Sequence, residues 1–205
     1  MSPRNLILAI VLGTVMAVGI WAAINLQRTK AQPMTATVLN AGPEIAAFSL
    51  LDHDANSIDA SVFKGQWDLV FFGFTNCPDI CPITLQILSA AKRQLSESGQ
   101  SPLPRIVFVS VDPARDTTDT MAQYVNAFGA GNLGITGDIE ELRKLTSGIG
   151  IYFEKHDGDD ESYSVDHSAV VILIDPDGRL HSLFGTPHAI ENFVHDLPLL
   201  MKPWT

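Results

Sequence analysis

The order of apolar runs and chain-reversing residues in this sequence predicts an α/β domain, a mixed sheet flanked by helices. Two nearly continuous apolar runs, Trp67–Phe74 and Arg105–Val111, read as central strands covered on both faces. A third run, Ser168–Ile174, is followed by Pro176-Asp177-Gly178 and a strand-like stretch, Arg179–Phe184, which together read as a hairpin. Helical stripes separate the first two strands and follow the hairpin, so parallel and antiparallel pairing must coexist.

The chain opens with an uncharged apolar stretch from Leu6 to Ile24. As a helix it would measure about 28 Å, close to the ~30 Å hydrocarbon core of a bilayer. Trp21 lies near one end, at the depth that suits an indole. A core helix would be amphipathic, whereas this stretch is apolar all round. A cleaved signal peptide has a shorter apolar region, about 7–15 residues. The expectation is a single-span membrane anchor over residues 1–26. Arg4 and the α-amine on one side nearly balance Arg28 and Lys30 on the other, so charge leaves the orientation open.

Residues 27–43 lack apolar periodicity and contain two prolines, as expected of a tether, and residues 44–205 are expected to form one domain. After the first strand, Ile83, Ile87, Leu88, Ala91 and Leu95 form a helical stripe over Pro82–Leu95. After the second, Asp116 reads as the N-cap of a helix running to Phe128. Leu133–Thr136 is strand-like, Glu140–Ser147 is helical with Gly148 near its end, and Ala189–Leu200 closes the chain as a helix. This order fits a thioredoxin-like core with additions. The segment from Asp157 to Glu161 is rich in acids; it lacks the alternating ligands of a calcium loop and reads as a solvated surface.

Composition narrows the function. The 205 residues are 46% hydrophobic with a net charge of −10. That apolar content argues against disorder. The acidic balance disfavours nucleic acid as a partner, because phosphate neutralisation needs a basic face. Two cysteines are too few for a disulfide scaffold.

Both cysteines lie in Gly73-Phe-Thr-Asn-Cys77-Pro-Asp-Ile-Cys81-Pro82, where a buried strand gives way to a helix. Four-residue spacing places two side chains on one helix face. Free amides at a helix N-terminus stabilise a thiolate there. Inert structural cysteines, a redox-active Cys77–Cys81 pair and a soft-metal site all remain open, and two thiolates suit copper(I) above all. Of the six histidines, His53 sits in a polar segment, His156 adjoins the acidic stretch, and His181, His188 and His195 have surface placement as their default. His167 differs, standing in Val165-Asp-His-Ser168 at the entry of a buried strand. In a thioredoxin-like core that entry faces the cysteine-bearing helix. Reductases with this core carry a proline there, but this chain has none from Gly150 to Asp175. The Cys-x3-Cys spacing also departs from the Cys-x-x-Cys of disulfide oxidoreductases. Both departures favour a metal. Asp166 and Asp79, beside the candidate ligands, are expected to orient or tune the site.

GFTNCPDICPITL, VSVDPARDT and VDHSAVVILIDPDG, in this order after an apolar N-terminal helix, resemble the Sco/SenC family of copper-binding assembly proteins. The likeness runs from about Glu44 to Lys202. It implies a thioredoxin-like fold with copper held by Cys77, Cys81 and His167. It implies a copper chaperone that helps assemble the binuclear copper centre of cytochrome c oxidase subunit II, or alternatively a thiol–disulfide reductase that keeps that subunit's cysteines reduced. A thiol reductant, and another copper chaperone as donor, are further partners so implied. The resemblance also places the chain in an inner membrane, with its domain in the periplasm or the mitochondrial intermembrane space. Asn76 departs from the family, which more often has an aromatic residue or histidine before the first cysteine. Asp112 and Arg115 read as a local turn pair with no ligand role.

Overall fold

The computed structural model describes residues 3–26, 32–155, 163 and 165–201. The acidic segment 157–161, His156 and residues 27–31 of the expected tether therefore lie outside the described residues. The chain divides into two compact units, Met1–Gln32 and Pro33–Thr205.

The first unit is one helix, α1 (Pro3–Leu26), matching the apolar stretch. Its described apolar side chains, among them Leu12, Val15, Val18 and Trp21, are exposed. Among the described residues no helix is long and apolar enough to cross a membrane.

The second unit is built on an eight-stranded mixed sheet. Its strands are β1 (Ala36–Val38), β2 (Leu50–Asp52), β3 (Ser57–Ile58), β4 (Asp68–Gly73), β5 (Arg105–Ser110), β6 (Leu133–Thr136), β9 (Val171–Ile174) and β10 (Leu180–Phe184). The order is β1-β10-β9-β4-β5-β6-β2-β3. Two further strands, β7 (Phe153–Lys155) and β8 (Val165–His167), pair with each other as an antiparallel ribbon and, among the described residues, with no other strand. The helices are α2 (Ile80–Glu97), α3 (Thr118–Ala127), α4 (Ile139–Ser147) and α5 (Ile190–Leu200), with a short 3-10 turn at Ala60–Phe63. The three parallel strands β4, β5 and β6 are joined through α2 and α3, as parallel neighbours require. β9 and β10 then return antiparallel beside β4.

All six residues of β4 are buried, which accounts for its unbroken apolar run. The exception in type is Asp68, fully buried at the strand's first position. Arg105 stands opposite it at the start of β5 and grips its carboxylate with two bonds of 2.8 and 3.0 Å. This forked pair fixes the register of the two central strands. α2 packs against α5, and α3 lies against β6.

Three differences from expectation have physical causes. β1, β2 and β3 have two or three residues each, too few to show a period. The expected strand Ser168–Ile174 is split, since its N-terminal part leaves the main sheet and the ribbon strand β8 precedes it. Residues 33–43, expected in the tether, carry structure. β1 pairs with β10, and the buried Asp196 of α5 accepts backbone N–H bonds from Met34 (2.6 Å), Thr35 and Ala36 (both 2.9 Å).

Burial raises the Asp196 pKa, but these three amides and His195 at 2.8 Å outweigh it and hold the carboxyl below its usual range. A carboxylate depressed in the folded state adds stability above its unfolded pKa of about 3.9 and loses it as pH falls through the folded value. Asp196→Asn is expected to cost residues 33–205 about 1.5–3 kcal/mol at neutral pH. It should also flatten the loss of stability below about pH 4. Urea unfolding of both proteins across that range checks this. Parallel curves would mean that Asp196 does not tie β1 down.

Candidate metal centre

β4 ends at Gly73 beneath the turn that carries the first cysteine. The Cys77 N–H bonds to the Phe74 carbonyl at 3.1 Å, closing that turn, and α2 begins three residues later. Cys77 thus lies outside α2 and Cys81 in its first turn, so the two do not share a helix face as the spacing predicts. They converge because the turn folds back over the helix start. Pro82 is tolerated in that first turn, where an N–H would have no helical partner. Gly73 is required on space alone. A Cβ there would stand 2.7 Å from the Cys81 sulfur and 2.8 Å from the Phe108 ring.

His167 ends β8, opposite Phe153 of β7. Its Nε2 faces the Cys81 sulfur at 3.6 Å, and its Nδ1 lies 3.4 Å from the Ser168 carbonyl. With the proton on Nδ1, the ring donates to that carbonyl and leaves the Nε2 lone pair facing the thiols. Phe71 and Phe74 hold the imidazole edge-on, each with its ring centre 6.0 Å away. The donor atoms of Cys77, Cys81 and His167 all lie within 4.8 Å of one another. Among the described residues, this is the group of three or more His, Cys, Asp and Glu side chains that could hold a metal. Bonds of about 2.3 Å to sulfur and 2.0 Å to nitrogen place such donors roughly 3.5–4 Å apart. The observed spacing therefore fits one metal with little movement.

Both cysteines are free thiols and buried, Cys81 completely. Burial, reinforced by the neighbouring Cys77, pushes the Cys81 thiol well above its usual range. Burial also lowers the His167 pKa, against the opposing pull of the Ser168 carbonyl and the Asp166 charge. Burial thus disfavours the charged forms of Cys81 and His167, and a metal must displace a thiol proton to enter.

The flanking residues divide. Asp166 is exposed on β8, and its charge acts on His167. Asp79 is exposed at the N-cap of α2, where its carboxylate makes no capping bond. Asp116 is not the helix cap that its position suggests; Thr117 caps α3 by accepting from the Thr120 N–H. Asp116 is fully buried and accepts from the Thr75 N–H (3.1 Å), the Thr75 hydroxyl and the Ser110 hydroxyl (2.6 Å). It fastens the cysteine turn to the end of β5. Sequence reading missed this role, since a partner 41 residues away leaves no local pattern. Asp112 and Arg115 form the expected turn pair, and the Tyr163 hydroxyl also donates to Asp112. The other described histidines are not part of this group. His53 accepts from the Gly134 N–H at 3.1 Å instead of being solvated, and His188 is half-buried, bonding to the Ala169 carbonyl.

Removing the Asp116 carboxylate strands the Thr75 amide and the Ser110 hydroxyl. Asp116→Ala is expected to cost about 1–3 kcal/mol and to speed amide exchange at Thr75 and Cys77. Exchange rates unchanged at both positions would show that the turn holds its shape without Asp116.

Comparison with known proteins gives this arrangement a family. Residues 36–202 match the SCO1/SenC family model. The mouse protein SCO2 homolog, mitochondrial, is 39% identical over 151 residues, 73% of this chain and 59% of its own length, so the chain spans less than two thirds of that relative. The crystal structure of Arabidopsis thaliana ScoI with copper bound superposes with a TM-score of 0.70 at 34% identity, covering 75% of this chain and 96% of that one. The solution structure of apo Sco1 from Thermus thermophilus gives 0.70 at 33% identity, covering 82% and 99%. With the thioredoxin-like mixed sheet that the sequence predicts and this extent of likeness, the chain belongs to the SCO1/SenC family.

Proposed function

We propose that this chain is a membrane-anchored copper chaperone that binds copper through Cys77, Cys81 and His167 and helps assemble the binuclear copper centre of cytochrome c oxidase subunit II. The observation that carries this reading is the convergence of two thiols and one imidazole within 4.8 Å, in a chain akin to copper-bound ScoI. The donor set is soft enough for copper(I), and the imidazole adds a donor suited to copper(II). Structural zinc normally takes four protein ligands, and three donors fall short of that.

Three ligands leave the metal open to an incoming acceptor, so transfer runs by exchange: an acceptor thiolate binds before a donor ligand leaves. Loading requires both thiols reduced. In an oxidising compartment they tend towards a Cys77–Cys81 disulfide, which makes a thiol reductant an upstream partner and a second copper chaperone a plausible donor. The alternative activity, reduction of the oxidase subunit's cysteines, would use the same two sulfurs. Burial of the Cys81 thiol weighs on both activities alike, because the thiolate is both nucleophile and metal ligand; what supports metal binding is the His167 Nε2 facing the sulfurs, a third donor that thiol exchange does not require. Asp166 acts on His167 through charge, and Asp79 has a lesser place at the helix start.

The apolar α1 supports an anchor over residues 1–26, with the Cys77/Cys81 unit carried beyond it. The chemistry supports an inner membrane, the domain facing the periplasm or the mitochondrial intermembrane space.

The reduced chain in detergent is expected to bind one copper. Loss of a group that merely orients a ligand costs 10–100-fold, so His167→Ala should weaken copper(II) by at least about 100-fold and copper(I) far less. Chelator-competition titrations in both oxidation states measure this. Equal copper(II) affinity in the two proteins would remove His167 from the site. Because thiol protons are displaced, apparent affinity should also rise between about pH 6 and 8, and a pH-independent affinity would contradict thiolate ligation.

A further inference from the structure

Among the described residues, the ribbon that carries His167 makes no strand pairing with the main sheet, so strand pairing to that sheet does not place its imidazole. A side-chain clamp stands in its place. Tyr163, just ahead of β8, is buried. The Arg115 guanidinium and the Lys155 ammonium each lie 3.7 Å from the centre of its ring. Two cations that close to one ring centre must take opposite faces, so the ring is gripped on both sides by cation–π attraction. Its hydroxyl donates to one oxygen of the buried Asp112, whose other oxygen takes the Arg115 Nε–H. Arg115 Nη1 reaches back to the Tyr163 carbonyl at 3.3 Å.

The clamp continues to the imidazole. The Arg115 guanidinium lies 5.7 Å from the centre of the Phe74 ring, and Phe74 stands edge-on to His167. Lys155 and Val165 are paired across the ribbon, so the two chain segments flanking the clamp are the strands that carry His167. The ends of this linkage are the β5–α3 connection and the imidazole.

We propose that Tyr163 is a positioning residue for His167: gripped between Arg115 and Lys155 and bonded to Asp112, it sets where the β7–β8 ribbon holds the imidazole, and thereby the affinity for copper(II) relative to copper(I). The inference rests on the reading of His167 as a ligand. Copper(I), satisfied by two thiolates, depends little on this linkage, whereas copper(II) depends on it through the imidazole.

The test uses the full chain in detergent, reduced, with copper(I) and copper(II) titrated separately against chelators. Tyr163→Leu removes both hydroxyl and ring and is expected to weaken copper(II) about 10–100-fold, leaving copper(I) within about threefold. Tyr163→Phe keeps the ring between its cations and should recover most of that loss. The copper(II)–thiolate absorption of Tyr163→Leu should shift towards that of His167→Ala. In the His167→Ala background, Tyr163→Leu should have no further effect. Equal weakening of both oxidation states, or a full further loss in the His167→Ala background, overturns the positioning role and leaves the ligand reading intact. A His167→Ala variant with undiminished copper(II) affinity overturns the ligand reading itself. Circular dichroism of each variant guards against simple unfolding, and Tyr163→Phe, the mildest change, keeps the test decisive if Tyr163→Leu fails to fold.

Discussion

The site depends on one short stretch, Ser110 to Asp116, where β5 ends and the chain turns towards α3. It holds two buried carboxylates, and each is tied to a different half of the donor set. Asp116 fastens the turn carrying Cys77 through Thr75, and Asp112 takes the hydroxyl of Tyr163 ahead of His167. The two are coupled through Ser110, whose hydroxyl donates to Asp116 and accepts from the Asp112 N–H at 3.0 Å. Buried carboxylates are costly unless their lone pairs are satisfied, so a displaced partner on either side is penalised. The arrangement also sits where α/β sheets ordinarily build sites, beyond the carboxyl ends of parallel strands. Cys77 and His167 are held to a common frame even though they stand 90 positions apart in the sequence.

How much of this can be read from the chain depends on the range of each interaction. β4 and β5 are legible because burial on both faces writes itself as an unbroken apolar run. α2 is legible because Leu88, Ala91 and Leu95 of the expected stripe are buried at helical spacing, although Ile83 is exposed, Ile87 is only partly buried and Leu85, outside that stripe, is buried. His167 stands out because it occupies the place where related folds carry proline. The short strands β1 to β3 leave no comparable trace, and neither does the tie between Asp196 and residues 34–36, since a carboxylate accepting from distant amides has no sequence period. Asp116 shows the limit most clearly. An aspartate before Thr-Thr-Asp reads as a helix cap, and the adjacent Thr117 takes that role instead. The long-range contacts that shape the site, Thr75 with Asp116 and Tyr163 with Asp112, are carried by side chains with no local signature.

Burial gives the three donors unequal standing. Cys81 is wholly enclosed against Gly73 and Phe108, Cys77 is nearly so, and His167 is half-buried between Phe71 and Phe74. The neutral forms of Cys81 and His167 suit such apolar surroundings, and burial favours them. Ionisation of the sulfurs reverses this. Two thiolates with copper(I) carry a net charge of −1, and with copper(II) they carry none. In a low-dielectric setting that difference matters, and the buried Asp116, which opposes ionisation of Cys81, disfavours the more negative form, while Arg115 and Lys155 act at the ribbon instead. The same two side chains grip Tyr163, and through it they act on the imidazole that copper(II) needs more. Charge and clamp therefore pull the same way, towards copper(II). On the proposed function this offsets the preference of two soft thiolates for copper(I), so that the two oxidation states stand closer in affinity than the sulfurs alone would leave them.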